Sequence, residues 1–197
     1  MQQLTGKVEM CIRDSSRIEF GYGAYTQPQN ALDNARLALG FGTVNLVASD
    51  RISANNQGSL GVYESRGAYD AKTGWQYLGG NLNLVTPLLT GESGSVNRLR
   101  AGGRLTLSQP AAMPTAAPTT RGLGAELSLE AGDLRIDSRI ALPTGKLTLR
   151  ADGNVALGAN AVLDLAGRPV PFDDITKYSW GGDAIIESRH EIGRAHV

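Results

Sequence analysis

Six carboxylates stand where acid–base or calcium chemistry would need them: Asp133, Asp137, Asp152, Asp164 and the adjacent Asp173 and Asp174. Cleaving a polysaccharide takes two such groups as acid and base, or several gathered round a calcium ion. Their neighbours point to a plainer use. Asp133 follows Ala131-Gly132 and Asp152 precedes Gly153-Asn154, the setting of turn residues whose side chains bond nearby backbone. Asp137 and Asp164 alternate with apolar residues, which puts them on the outward side of a strand, and Asp173-Asp174 lies in a solvated loop. Nucleophilic catalysis needs a base beside a Ser or Cys. The chain has one cysteine, Cys11, and two histidines, His190 and His196, and no Gly-x-Ser-x-Gly elbow. Neither an EF-hand spacing nor a Gly-Gly-x-Gly-x-Asp nonapeptide occurs, and a His/Cys metal site lacks its ligands. The expectation is a protein that is not an enzyme, with no catalytic residue, no cofactor and no metal.

The elements that would carry these residues are short strands. Leu, Val and Ile recur in pairs separated by one polar residue, punctuated by Gly, Asp and Asn, and Gly makes up 25 of 197 residues. That texture favours strands and tight turns over helices. Gly21-Tyr22-Gly23 and Leu39-Gly40-Phe41-Gly42 fit tight turns better than a phosphate cradle, since neither precedes a helix carrying Lys-Ser/Thr. Lys plus Arg equals Asp plus Glu at 19 each, and no basic cluster with interleaved aromatics occurs, so no nucleic-acid partner is expected. There is no apolar run of transmembrane length and no visible export signal.

A unit of Gly followed by apolar-polar-apolar recurs, as in Gly42-Thr43-Val44-Asn45-Leu46, Gly80-Asn81-Leu82-Asn83-Leu84, Gly103-Arg104-Leu105-Thr106-Leu107 and Gly145-Lys146-Leu147-Thr148-Leu149. With looser copies at Leu127 and Ala184, its first apolar positions are separated by 38, 23, 22, 20 and 37 residues, multiples of a period near 20. Within one period the pattern recurs three times: Leu127/Leu129, Leu134/Ile136, Ile140/Leu142, then Leu147/Leu149, Val155/Leu157, Leu163/Leu165. A rung of three short strands cannot bury its inward face alone, but stacked on like neighbours it can. The fold class predicted is all-β, a right-handed parallel β-helix (β-solenoid) with about 20 residues and three short strands per rung. An antiparallel sandwich shares the alternation but not the period. Six to eight rungs would make a rod roughly 30–40 Å long. Loop insertions are expected near 63–78, rich in Tyr and Trp, near 109–120, where Pro110, Pro114 and Pro118 cannot donate to a ladder, and near 168–180. Such insertions cap or cover rung surface, or carry binding.

Two segments resemble translated sequencing adapters. Met10-Cys11-Ile12-Arg13-Asp14-Ser15 is similar to a transposase mosaic end, and Glu191-Ile192-Gly193-Arg194-Ala195-His196-Val197 to the start of a ligation adapter. The resemblance implies that residues 1–15 and 191–197 are not native to the repeat, and removes Cys11 and His196 from any chemistry. The repeat region is then 16–190, best defined over 79–188, with 16 basic and 16 acidic residues. The solenoid is expected over roughly 40–188, with 1–15 and 191–197 standing outside its order.

Gly79-Gly80-Asn81-Leu82-Asn83-Leu84-Val85-Thr86-Pro87-Leu88-Leu89-Thr90-Gly91 resembles repeat segments of filamentous haemagglutinin-like large exoproteins. So does Ala161-Val162-Leu163-Asp164-Leu165-Ala166-Gly167-Arg168-Pro169-Val170-Pro171-Phe172, running on to Gly181-Gly182-Asp183-Ala184-Ile185-Ile186-Glu187-Ser188. The resemblance implies an internal segment of a protein exported by two-partner secretion from a Gram-negative bacterium. Its partners would be an outer-membrane barrel transporter, engaged through a secretion domain with no counterpart in this sequence, and host or bacterial surface receptors or glycans. It implies a secreted, cell-surface location and a structural or adhesive role: cell adhesion, aggregation, or a stalk presenting a distal domain. The alternative is a fragment of a β-helical carbohydrate-active enzyme, a polysaccharide lyase or hydrolase, which would need the carboxylates above to converge on one face.

Overall fold

The structure is a computed structural model that describes residues 9–21, 35–112, 118–190 and 192–194, with the side chains of 9–14 and 192–194 outside the description. Pro114, Tyr22-Gly23 and His196 lie outside the described residues. Within them the chain forms strands and no helix. In chain order these are β1 (Glu9–Gly21), β2 (Ala35–Leu39), β3 (Thr43–Asn55), β4 (Gln57–Tyr63), β5 (Ser65–Asp70) and β6 (Gly74–Leu78). Next come β7 (Asn81–Val85), β8 (Leu88–Gly91), β9 (Val96–Ser108), β10 (Glu126–Asp137), β11 (Arg139–Ala141) and β12 (Lys146–Ala151). The last are β13 (Val155–Leu157), β14 (Val162–Asp164), β15 (Pro169–Phe172), β16 (Ile175–Tyr178), β17 (Asp183–Ser188) and β18 (Ile192–Arg194).

Fourteen strands form one curled sheet whose pairings are all parallel. The pairings fall into three ladders. Ladder A stacks the first halves of β1 and β3, then β7, the second halves of β9 and β10, β13 and β18. Ladder B stacks the second halves of β1 and β3 on β8, β11 and β14. Ladder C runs β2, β4, the first halves of β9 and β10, β12 and β17. Followed along its length, the chain visits A, then B, then C, then A again, an order compatible with a β-solenoid.

Period-2 alternation explains the burial. Every second residue points inward, so the inward residues of stacked strands form columns. In ladder A, Val44, Leu82, Leu105, Leu134 and Val155 share one register column, and all are buried. Leu99, Leu129 and Leu149 form a column in ladder C, and Ile52, Leu89 and Ile140 one in ladder B. Each fully buried leucine contributes about 1.5–3 kcal/mol of transfer free energy.

Ladder B is one strand short. β8 pairs directly with β11, although the second half of β9 and the first half of β10 intervene in the chain. Between them the chain runs through 109–125 without a strand among its described residues, where a B strand would otherwise lie. The seam is closed by buried hydroxyls. Ser138 Oγ donates to the Thr86 carbonyl at 2.7 Å, and Thr90 Oγ1 donates to the Ala141 carbonyl at 2.7 Å. These two bonds give buried backbone carbonyls side-chain donors at the point where the ladder loses a rung.

The missing strand also corrects the repeat as read from the sequence. Val44, Leu82 and Leu105 belong to ladder A, whereas Leu127, Leu147 and Ala184 belong to ladder C. The interval from Leu105 to Leu127 is therefore a step between ladders rather than a turn of one ladder. The two chain ends differ from expectation too. β1 pairs along β3 from Glu9 to Gly21, with register shifts between Ile12 and Arg17, and Ile192–Arg194 pairs with β13. An open strand edge offers unpaired N–H and C=O groups.

Two excursions are antiparallel hairpins, β5–β6 and β15–β16. The first returns to the sheet through an antiparallel bridge between Gly79 and Gly102.

Candidate functional site

The six carboxylates serve separate local uses, and two of them hold corners. Asp133 Oδ1 accepts the Asn154 amide and Asp137 Oδ1 the Asn160 amide, each at 3.0 Å, tying one turn to the next. They lie four residues apart on one strand, roughly 13 Å, too far to act together on one bond. Asp152 makes an exposed 3.4 Å ion pair with Arg189. Asp173 occupies the β15–β16 turn with φ +48°, and Asp174 beside it is exposed. His190 is exposed and donates its amide to Ser188 Oγ at 3.2 Å. Among the described residues no three His, Cys, Asp or Glu side chains gather in a way that could hold a metal ion.

Asp164 is the most elaborately held carboxylate. Its Oδ2 accepts Arg139 Nη2 at 2.8 Å and Arg168 Nη2 at 2.7 Å, while Oδ1 accepts the Ala166 amide at 3.3 Å. Burial pushes the carboxyl up, but the hydrogen bonds from Arg139 and Arg168 outweigh it and hold the pKa below its ordinary value. The triad fixes the base of the β15–β16 hairpin to ladder B, and Ser179 secures the other side through its amide to the Arg168 carbonyl at 3.0 Å. Asp50 is held similarly: burial raises it, and Arg17 and Arg51 together bring it below its usual range.

A depressed carboxylate pKa contributes stability that is present above the unfolded value, near 4, and lost as pH falls through the folded value. The Asp164 triad is expected to contribute about 1 kcal/mol at neutral pH, discounted for the partial exposure of its arginines. Thermal melts should therefore show the chain losing stability below about pH 4, and Asp164→Asn should be less stable at neutral pH with a flatter acid limb.

A concave stretch of the surface lies elsewhere, on the outward side of ladder C. Alternation sends Arg98 and Arg100 of β9, Ser128 and Glu130 of β10, and Thr148 and Arg150 of β12 to this side. Glu130 sits at its centre, paired to Arg98 at 3.1 Å and Arg100 at 2.8 Å and accepting Ser128 Oγ at 3.0 Å. Arg150 pairs with Glu187 of the next strand at 2.6 Å. One end of this face is walled by Tyr63 and Tyr77, stacked with ring centroids 4.8 Å apart and planes at 26°. Burial raises the Tyr63 hydroxyl pKa.

The sequence marks Tyr63 and Tyr77 as part of an aromatic-rich insertion. It does not show that the bridge at Gly79 and Gly102 brings that insertion beside Arg100 and Glu130. Beyond them, Trp75 meets Tyr69 edge-on at 5.2 Å and carries the Arg66 guanidinium 4.2 Å over its ring. Comparison with protein-family models, with curated proteins and with solved structures returns no match for this chain.

Proposed function

We propose that this chain is a right-handed parallel β-helix and a non-catalytic segment of a secreted, surface-exposed filamentous haemagglutinin-like adhesin. In this reading it serves adhesion, aggregation, or reach beneath a distal domain. The observation that supports it most is the set of continuous apolar columns. Each strand buries its inward residues on the strands above and below it, so the unit is made to be extended along one axis. The acidic side chains that a polysaccharide-cleaving enzyme would need on one face are instead spread over turns and ion pairs, which weighs against that alternative. Export would proceed through an outer-membrane barrel transporter recognising a separate secretion domain.

The test is surface shaving. Antibody to this chain should label intact cells that carry the gene, protease added outside should remove the label, and deleting the gene for the adjacent barrel transporter should abolish it. A chain recovered from the cytosol and protected from outside protease would overturn the reading.

A further inference from the structure

We propose that the cleft between the Tyr63–Tyr77 stack and the Arg100–Glu130 pair binds an uncharged oligosaccharide lying along the outward face of ladder C. The inference rests on the adhesive role proposed above and gives it a site and a ligand class. The cleft has a volume of about 320 Å³, and Tyr63, Tyr77, Arg100, Glu130, Arg150 and Asp152 line it. It continues into a groove of about 490 Å³ that shares Arg100, Glu130 and Arg150 and adds Arg98, Ser128 and Thr148.

Three features select the ligand. A pyranose has an apolar C–H face that packs on an aromatic ring, and the half-exposed Tyr63–Tyr77 stack supplies one at the end of the groove. Sugar hydroxyls both donate and accept, and the lining offers guanidinium donors, carboxylate acceptors and the hydroxyls of Ser128 and Thr148 side by side.

Charge decides between a neutral and an anionic chain. Four cations (Arg98, Arg100, Lys146, Arg150) face three carboxylates (Glu126, Glu130, Asp152) along the two cavities. Glu130 already engages Arg98 and Arg100, and Glu187 engages Arg150. A sulfated or phosphorylated polymer would have to displace these carboxylates, whereas a neutral hydroxyl-rich chain can bond to both partners of each pair. All of these groups but the tyrosines and Asp152 project from strands about 4.8 Å apart, so a linear ligand meets polar groups repeatedly along its length.

The experiment is calorimetric titration of the full chain with maltohexaose, cellohexaose and mannohexaose, and with a heparin hexasaccharide as the anionic counterpart. At least one neutral hexasaccharide should bind with an affinity that raised salt leaves unchanged. Tyr77→Ala should weaken it about tenfold, and Tyr69→Ala, outside the cleft, should not. Arg150→Gln, on a side chain 53% exposed and carried by β12 rather than by the hairpin, should weaken it severalfold even if the tyrosine variant fails to fold. Binding of heparin alone, no binding of any neutral hexasaccharide, or binding by both cleft variants as tight as that of the unaltered chain overturns the proposal. Adherence of the same protein to cells separates the two readings. Adherence without saccharide binding refutes this site and leaves the adhesive role standing. Saccharide binding in the cleft without adherence supports the site and refutes that role.

Discussion

Leu105→Asp abolishes cooperative folding, while Thr106→Asp, one residue along the same strand, shifts stability by no more than about 0.5 kcal/mol. Leu105 is fully buried in ladder A between Leu82 and Leu134, with no polar group in its column to receive a charge. Truncating such a leucine to alanine costs about 2–5 kcal/mol. An unpaired carboxylate there adds the cost of desolvating a charge, and the total is comparable with the whole stability of a domain. Thr106 points outward between Asn83 and Arg135, where a carboxylate keeps its water and gains a cation. Urea denaturation followed by far-ultraviolet circular dichroism measures both. Equal damage from the two substitutions would mean that strand β9 is not alternating about a buried column.

Gly80→Ala is expected to cost about 3 kcal/mol, the sum of a left-handed backbone strain and an overpacked contact. Gly80 has φ +81°, and a Cβ built on it would lie 2.7 Å from the Tyr63 Cα, against backbone that cannot swing away. Gly40 provides the control. Its φ is +92°, but a Cβ there meets nothing within 4 Å, so Gly40→Ala should carry the backbone strain alone, about 1–2 kcal/mol. The difference between the two isolates the close approach at the neck of the β5–β6 hairpin, between the end of β4 and the start of β7. Chemical denaturation of both variants checks it.

Much of the architecture was legible because apolar-polar-apolar triplets report strand alternation directly. The three triplets beginning at Leu127, Leu134 and Ile140 do fall on ladders C, A and B in turn. What the triplets cannot carry is a ladder's identity. Leu105 and Leu127 sit in similar local sequences, and only their pairing partners reveal that one belongs to A and the other to C. The excursion through 109–125 stands in for a B strand, so the spacing still looks like one full turn while the stack loses a rung. The seam this creates is bridged by Ser138 and Thr90, which read locally as ordinary strand or turn residues.

The site was legible only in part, for a related reason. Asp133 bonds the turn 21 residues on, and its flanking glycine forecasts that use. Asp164 looked like one more outward acid, because Arg139 lies 25 residues away and is brought to it by the pairing of β11 with β14. The tyrosines were visible as a cluster, yet the groove they wall is made by side chains from β9, β10 and β12, whose neighbourhood exists only once ladder C is stacked.

Register-specific disulfide trapping tests the stacked ladders most directly. On a Cys11→Ser background, cysteine pairs would be placed at Ser128 and Thr148 in ladder C, at Asn83 and Thr106 in ladder A, and at Arg139 and Val162 in ladder B. Each pair is directly opposed across neighbouring strands, about 4.8 Å apart and within disulfide reach. All three should oxidise readily in the folded chain, and pairs offset by one residue should not, because the offset partner points to the other face. Failure of the matched pairs, or equal trapping by the offset ones, would contradict the parallel in-register stacking on which the account stands.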